Sequence, residues 1–309
     1  VSEGSRGLFD RALGQSGGCT TALRTRSEAE AEADVFAEAM GCGDTTEVAT
    51  CLRAVPVADL LMEAPVDGAI EDPPGGDFYS GGTPRWQFQA VVDGLVIADQ
   101  PRTLFDEGDV ADVPYLLGSN SDEGTLFHVL QGEVETEGEY LDALERRFGE
   151  TVAAQVAEAY PVTDFDSPQD ALERVTGDGG LVCSVRDTAK RAAAAGLDVF
   201  VYNFNRPIPI PALAGLDLRA THGAEIAYVF GSIGADVIEA DDLALGATMQ
   251  RYWGRFATTG DPNGGNDLAW PMFSADDDMR LNFDLTLSTV QDFRSDLCAF
   301  WESVYDSEF

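Results

Sequence analysis

The segment Val113-Pro-Tyr-Leu-Leu-Gly-Ser-Asn-Ser-Asp-Glu-Gly124 joins a short apolar run to a polar loop that contains an acid. An apolar run of this length, rich in residues that favour strands, predicts a buried parallel strand. In open sheets of such strands, the side chains that follow a strand converge on a crevice beyond its carboxyl end. Glu123 therefore lies where a functional side chain is expected.

Strand and helix patterns alternate along the rest of the chain, which predicts an α/β protein. A second buried strand is predicted at Asp198-Val-Phe-Val-Tyr-Asn203. A capping-box pattern, Ser27-Glu-Ala-Glu30, predicts a helix that extends to about Met40. Further helices are predicted from Val57 and near 138–147, 151–159, 183–195, 243–259 and 295–305.

Two other segments carry turn residues. Val91-Val-Asp-Gly-Leu-Val-Ile97 predicts a hairpin around Asp93-Gly94. Residues 64–84 are rich in Pro, Gly and Asp and predict a long surface loop, of the kind that often borders a site.

Composition places the chain among folded, strongly acidic proteins. Hydrophobic residues make up 44% and aromatic residues 9%, which is enough for a core in 309 residues. The formal charge of −36 would repel phosphate backbones, so nucleic acid is excluded as a partner. No stretch approaches the roughly 18 apolar residues of a membrane span. The acidic excess fits either a solvated surface or adaptation to high salt.

The chain has two histidines, so a catalytic base has few possible positions. His222 precedes Gly223 in a polar loop that lets the ring turn toward solvent. His128 lies among apolar residues in Thr125-Leu-Phe-His-Val-Leu130, which predicts a helix packed on the core and a structural role. A base of this kind needs a buried carboxylate to fix its tautomer, and Glu123 precedes His222 in the order acid, base.

Glu225 and the five cysteines each leave two interpretations open. Glu225 is either a second acid behind the base or the favourable negative charge in the first turn of a helix at 224–230, and physical reasoning alone favours the capping role. Cys42 and Cys51 lie close enough in sequence for a local bridge, but spacing alone favours five reduced, buried cysteines. No cysteine spacing resembles a zinc site.

A family resemblance rests on segments spread in register over nearly the whole chain. They are Gly4–Gly17 with its Gln15-Ser-Gly17, Val91-Val-Asp-Gly94, Val113–Gly124, His222-Gly-Ala-Glu225, Tyr228-Val-Phe-Gly231 and Phe256-Ala-Thr-Thr-Gly-Asp-Pro-Asn263. Together these segments resemble the type-B carboxylesterase family, which includes cholinesterases and fungal lipases. The resemblance implies an α/β-hydrolase fold, with a mostly parallel sheet flanked by helices, and hydrolysis of small-molecule carboxylic esters without a metal or organic cofactor.

The resemblance also implies roles for particular residues. The glutamate of S-x-D-E-G and the histidine of H-G-x-E are the acid and base of the family's triad, which makes Glu123 and His222 the catalytic candidates. Ser16, in Q-S-G, is implied to hydrogen-bond the acid, and we place it with Glu225 as a supporting residue behind the acid and the base.

The family pattern further implies two disulfide bonds and a free thiol. Cys42 would pair with Cys51 and Cys183 with Cys298, which leaves Cys19 unpaired. Disulfide bonds form in oxidising compartments, so we expect a secreted or periplasmic protein.

In this fold a G-x-S-x-G turn presents the nucleophilic serine, and we expect no such turn ahead of Glu123. We therefore expect residues 1–309 to be the C-terminal part of a single α/β-hydrolase domain, inactive without an N-terminal half that brings the serine and the oxyanion loop. The alternative is a non-catalytic, cholinesterase-like binding or adhesion domain. Retention of both Glu123 and His222 argues against that alternative.

Overall fold

A computed structural model describes residues 1–63, 90–129, 133–207, 215–232 and 239–306 of the protein. The loop predicted at 64–84 lies outside these residues. Within these residues the main sheet has five strands in the order β1-β4-β5-β6-β7, and the short strands β2 and β3 pair in parallel as a separate two-stranded sheet. The strands are β1 (Ala12–Gln15), β2 (Arg24–Thr25), β3 (Val91–Val92), β4 (Tyr115–Asn120), β5 (Val199–Phe204), β6 (Met279–Phe283) and β7 (Ser288–Gln291).

The main sheet is mostly parallel, because β1, β4, β5 and β6 run in one direction and β7 alone pairs antiparallel, with β6. Every residue of β4 and β5 is buried. Strands covered on both faces read as continuous apolar runs, which is why the sequence pattern located both of them.

Helices cover the two faces of the sheet. The α-helices are α1 (Arg26–Ala39), α2 (Val48–Ala54), α3 (Val57–Glu63), α4 (Pro101–Asp106), α5 (Thr125–His128), α6 (Glu137–Ala159), α7 (Pro168–Gly177), α8 (Cys183–Ala194), α9 (Ile226–Val229), α10 (Ala240–Thr259) and α11 (Ser295–Asp306). Short 3₁₀ turns span Glu3–Ser5 and Val162–Asp164, and one π-helical turn spans Asp178–Val182. Gly149, with φ +71°, kinks α6 at the point where the sequence predicts a break between two helices.

Alternating side chains of β5 divide the core between the two faces of the sheet, as the two-residue period of a strand requires. Phe200, Tyr202 and Phe204 pack with α10 in an aromatic cluster. Val199 and Val201 pack on the other face, with side chains of α8. A third cluster joins α6, α7 and α11 beside the sheet.

The hairpin predicted around Asp93-Gly94 is wrong. β3 pairs in parallel with β2 instead of turning back on itself. The carboxylate of Asp93 accepts the backbone N–H groups that a returning strand would use, and such side-chain hydrogen bonds compete with strand pairing. Its donors are Leu95, Val96 and Ile97, at 2.9, 2.8 and 3.1 Å.

The capping box predicted at Ser27-Glu-Ala-Glu30 lies two residues too late. Thr25 is the N-cap of α1, and its backbone N–H donates to Glu28 Oε2 at 2.8 Å while its hydroxyl accepts from the Glu28 backbone N–H. Two overlapping capping-box patterns occur here, one from Thr25 to Glu28 and one from Ser27 to Glu30. The helix begins after Thr25 because β2 ends at that residue.

Two disulfide bonds are present. Cys42 is bonded to Cys51 across nine residues of chain, and Cys183 is bonded to Cys298 across 115 residues. The second bond ties the start of α8 to α11. Cys19 is free and exposed. These are the pairs that the family resemblance implies, whereas spacing alone favoured five thiols.

Candidate active site

Glu123 is the buried acid of the site. It follows β4 in a tight turn, and its side chain has no exposed surface. One carboxylate oxygen, Oε1, accepts hydrogen bonds from the Asn120 backbone N–H and from the Ser16 hydroxyl, both at 2.6 Å. The other, Oε2, lies 2.8 Å from His222 Nδ1. These donors compensate the burial of the carboxylate.

His222 lies in the loop between β5 and α9 and faces the acid with one nitrogen. Its side chain is 34% exposed, and its ring packs against Phe127 with ring centroids 5.3 Å apart. Because the Glu123 carboxylate accepts a hydrogen bond from Nδ1, Nδ1 carries a proton. Nε2 is therefore the ring nitrogen that can accept a proton. No described residue hydrogen-bonds to Nε2.

The pKa of His222 is raised from its ordinary value. The hydrogen bond to Glu123 is the largest cause, burial acts in the opposite direction, and the charges of Glu123 and Glu225 raise the pKa further. A carboxylate at hydrogen-bond distance favours the imidazolium in this way. The site therefore stabilises the protonated form of His222.

Backbone and side-chain hydrogen bonds join the loop that carries the acid to the loop that carries the base. Asp122 forms a parallel bridge with Thr221, and the Asp122 backbone N–H donates to the Ala220 carbonyl at 3.0 Å. Thr221 also accepts from the Leu126 backbone N–H with its hydroxyl, at 2.8 Å, and from Asn120 Nδ2 with its carbonyl, at 2.7 Å. Residues about a hundred positions apart thus form one rigid corner.

Glu225 is a second buried acid, at the N-cap position of α9. Its side chain is 1% exposed and makes no capping hydrogen bond to α9. Instead, its carboxylate accepts from Gln15 Nε2 at 2.8 Å and from Asn120 Nδ2 at 2.6 Å. The negative charge thus lies at the start of α9, while the carboxylate hydrogen-bonds to the two amides and not to the helix. Burial and the charge of Glu123 raise the pKa of Glu225.

Comparison with known proteins identifies the family of the chain. Residues 1–301 match the family described as "Carboxylesterase family". The chain belongs to the carboxylesterase family. The mostly parallel sheet with helices on its faces is accordingly an α/β-hydrolase fold, as the sequence predicts.

Two curated carboxylesterase-family relatives illustrate the similarity. Carboxylesterase 4A of Bos taurus is 29% identical over 322 residues, which cover 98% of this chain and 57% of the relative. Acetylcholinesterase of Bungarus fasciatus is 28% identical over 330 residues, which cover 97% of this chain and 52% of the relative. The chain spans about half the length of these relatives.

Ser16 lies in a segment with the G-x-S-x-G pattern. Gly14-Gln-Ser-Gly-Gly18 matches G-x-S-x-G letter for letter, so the expectation that no such segment precedes Glu123 is wrong. Ser16 also has the left-handed backbone of a sharp turn, with φ +51°. Its hydroxyl, however, donates to Glu123 and not to the base, and the residue is 7% exposed. The contact is the one that the resemblance to the carboxylesterase family implies.

His128 lies away from the acid. It is the last residue of α5 and is buried, and its Nε2 lies 2.9 Å from the Thr176 hydroxyl. Its apolar neighbours in sequence correctly indicate packing on the core.

Asn120 and Gln15 are the site residues that the sequence did not indicate. Asn120 serves both acids, since its backbone N–H donates to Glu123 and its side chain donates to Glu225. Gln15 contacts Glu225 across 210 positions of chain. Asn120 is the last residue of β4, within the segment that was singled out, so its position was a usable signal, whereas nothing near Gln15 indicates a partner so distant in sequence.

Proposed function

We propose that the protein hydrolyses carboxylic esters through an acyl-enzyme, with His222 as the general base and Glu123 as the acid that orients it. The observation that carries this proposal is the 2.8 Å contact between Glu123 Oε2 and His222 Nδ1, made by a carboxylate without exposed surface. Membership of the carboxylesterase family supports the ester as the substrate class.

In this mechanism, a serine oxygen attacks the ester carbonyl carbon while its proton passes to His222 Nε2. The bond from that carbon to the alcohol oxygen then breaks, and the imidazolium gives its proton to the departing alcohol. Water hydrolyses the acyl-serine by the same steps in reverse, with His222 again taking and returning the proton. Glu123 holds Nδ1–H throughout and stabilises the imidazolium.

We propose that Ser16 is a positioning residue and that the nucleophile lies outside the described residues. The hydroxyl of Ser16 is committed to Glu123 Oε1, on the side of the acid away from the base. Among the described residues, no serine hydroxyl hydrogen-bonds to His222. A serine that attacks an ester has to be within reach of Nε2, and Ser16 instead contacts the acid.

The alternative function is a binding or adhesion domain without catalysis. A domain of that kind has no use for a buried carboxylate held by three donors beside an imidazole with a solvent-facing edge. Burial of such a group costs several kcal/mol unless it is fully hydrogen-bonded, as a rough guide. The site therefore favours the hydrolase.

We also propose a secreted or periplasmic location. The two disulfide bonds support it, because such bonds persist in oxidising compartments. None of the described helices is long and apolar enough to cross a bilayer.

The activity test measures p-nitrophenyl acetate hydrolysis by the product of the complete reading frame that encodes this chain. His222→Ala should lower kcat by about 10⁴-fold or more, because the members of a triad act as a unit. His128→Ala is the matched control and should change kcat by no more than a few fold, since His128 is bonded to Thr176 and not to the acid. Turnover that survived His222→Ala but was lost in His128→Ala would overturn the assignment.

A second measurement tests the role of Ser16. The 309-residue chain is treated with a fluorophosphonate and mapped by mass spectrometry, and we expect no label on Ser16. In the complete product, Ser16→Ala should lower kcat by roughly tenfold, the effect of losing one hydrogen bond to a charged group. A phosphonylated Ser16 would show that this serine is the nucleophile.

A further inference from the structure

The carboxylate of Glu173 lies between the acid loop and the base loop. Glu173 is on α7, and its Oε2 accepts from the hydroxyl of Thr125 at 3.1 Å and is paired with Nη2 of Arg219. Thr125 lies two residues after Glu123, and Arg219 lies three residues before His222. One carboxylate therefore contacts both loops close to the catalytic pair.

Arg219 is held in an unfavourable backbone conformation. Its φ is +48°, in the left-handed region that is unfavourable for residues with a side chain. Its guanidinium pairs with Glu173 and also with Asp170 Oδ1 at 3.0 Å, both on α7. Such a conformation persists where its surroundings hold it, so the base loop depends on α7 for its shape.

The environment of Glu173 sets this pair apart from a surface ion pair. The side chain of Glu173 is 11% exposed. Its pKa is raised from the ordinary value, because burial outweighs the hydrogen bonds from Gln169 and Thr125 and the charge of Arg219, which lower it. Exposed ion pairs contribute little because water and salt screen them. A buried carboxylate with several donors holds its partners in a fixed geometry.

We propose that Glu173 and Arg219 form a clamp that sets the distance between Glu123 and His222. Both are positioning residues, and their contacts in the structure are with the loops and with α7 and not with the imidazole. The inference rests on the proposed function for its consequence in catalysis. The geometry that it describes can be measured without turnover.

The test uses the titration of His222, followed by NMR of ring-labelled histidine in the product of the complete reading frame that encodes this chain. The signals of His222 and of the internal reference His128 are assigned by their loss in His222→Ala and His128→Ala. Among the described residues, the charged groups that act on the His222 ring are Glu123 and Glu225. A looser Glu123–His222 hydrogen bond lowers the pKa of His222, because that bond is the largest cause of its rise.

Arg219→Gln separates a clamp from a simple charge effect. Removal of a nearby positive charge favours the imidazolium and would raise the pKa of His222. Loss of the clamp would lower it, because the contact with Glu123 that raises the pKa of His222 would be weakened. We expect the lower value, an intermediate value for Arg219→Lys, and little further change when Glu173→Gln is added to Arg219→Gln.

The matched control is Asp267→Asn, which breaks the ion pair with Arg255. The exposed fractions of that pair are 24% and 16%, close to the 30% and 11% of Arg219 and Glu173. Asp267→Asn should leave the His222 titration unchanged.

A higher or unaltered pKa of His222 in Arg219→Gln would overturn the clamp. If Arg219→Gln does not fold, a wild-type pKa in Arg219→Lys and in Glu173→Gln would overturn it equally. Failure of the esterase assay would not affect this result.

Discussion

At the residue scale, the chemistry depends on how the protein divides hydrogen-bond donors between two buried acids. Glu123 receives Ser16, the Asn120 backbone and His222, while Glu225 receives Gln15 and the Asn120 side chain. The first acid faces the imidazole directly, and the second acts on it only through its charge. Asn120 connects the two, so a change at either acid is expected to be felt at His222.

The raised pKa of His222 leads to a pH prediction. In the proposed mechanism His222 has to be neutral to accept a proton, so kcat/KM should rise with pH through an apparent pKa above the ordinary value of about 6.5. Glu123→Gln removes the main cause of the rise and should move that midpoint to lower pH while it lowers the plateau. The measurement is the pH profile of ester hydrolysis from pH 5 to 9. An unshifted midpoint in Glu123→Gln would contradict the assigned cause.

The same shift has a consequence for stability. Because the folded protein holds the imidazolium more tightly than the unfolded chain does, the pair stabilises the fold fully below about pH 6.5. That contribution is lost as the pH rises through the folded pKa.

The sequence indicated those site residues whose role shows in their immediate neighbours. Glu123 follows an apolar strand, and His222 lies in a glycine-containing loop, so both stood out. Ser16 was placed by resemblance. For Glu225 the sequence left two roles open, because an acid at the start of a helix has the same sequence pattern whether it caps the helix or turns inward to distant amides.

At the element scale, α7 approaches the acid through two glycines. Gly177, the last residue of α7, lies against Gly124 and Glu123, and a Cβ there would come within 2.8 Å of the Gly124 nitrogen. Gly124 is equally crowded, since a Cβ on it would lie 1.9 Å from the Glu173 carbonyl oxygen. Larger residues at these positions would separate α7 from the corner that it supports.

Gly177→Ala should therefore destabilise the protein, by about 1 to 3 kcal/mol, the usual cost of overpacking. Gly254→Ala is the control, because Gly254 lies in α10 with no neighbouring atom within 4 Å of an added Cβ. That change should stabilise the helix by about 0.5 to 1 kcal/mol. Urea unfolding of the wild type, Gly177→Ala and Gly254→Ala measures the two changes in stability. If Gly177→Ala were as stable as Gly254→Ala, the close approach of α7 to the acid would be refuted.

Secondary structure was predictable where the pattern is long or where both faces are buried. The strands at 115–120 and 199–204 and the helices α8, α10 and α11 were located to within a few residues. The hairpin at Asp93 was not, because the side chain of Asp93 took the amides that a second strand needs. The parallel partner of β3 is β2, 67 residues earlier, and short-range turn residues contain no information about such a pairing.

At the scale of the whole molecule, charge is distributed very unequally. The chain has 55 acidic and 19 basic residues, and Lys190 is its sole lysine. Most of the basic side chains in the described part are already bound in ion pairs, several of them buried, such as Arg186 with Asp278 and Arg102 with Asp187. Most of the acidic excess has no positive partner left and is distributed over the surface.

This distribution predicts that salt stabilises the protein. Repulsion among unpaired carboxylates destabilises the compact state, and salt screens it as the Debye length falls from about 10 Å at 0.1 M to about 3 Å at 1 M. Salt also weakens exposed ion pairs, but at a charge of −36 repulsion is the larger effect. The urea midpoint should therefore rise with NaCl, mostly below 1 M. Sodium sulfate at equal ionic strength distinguishes screening from burial effects of excluded salts. Similar gains in both salts indicate screening, whereas a gain confined to concentrated sulfate would show that repulsion does not limit stability.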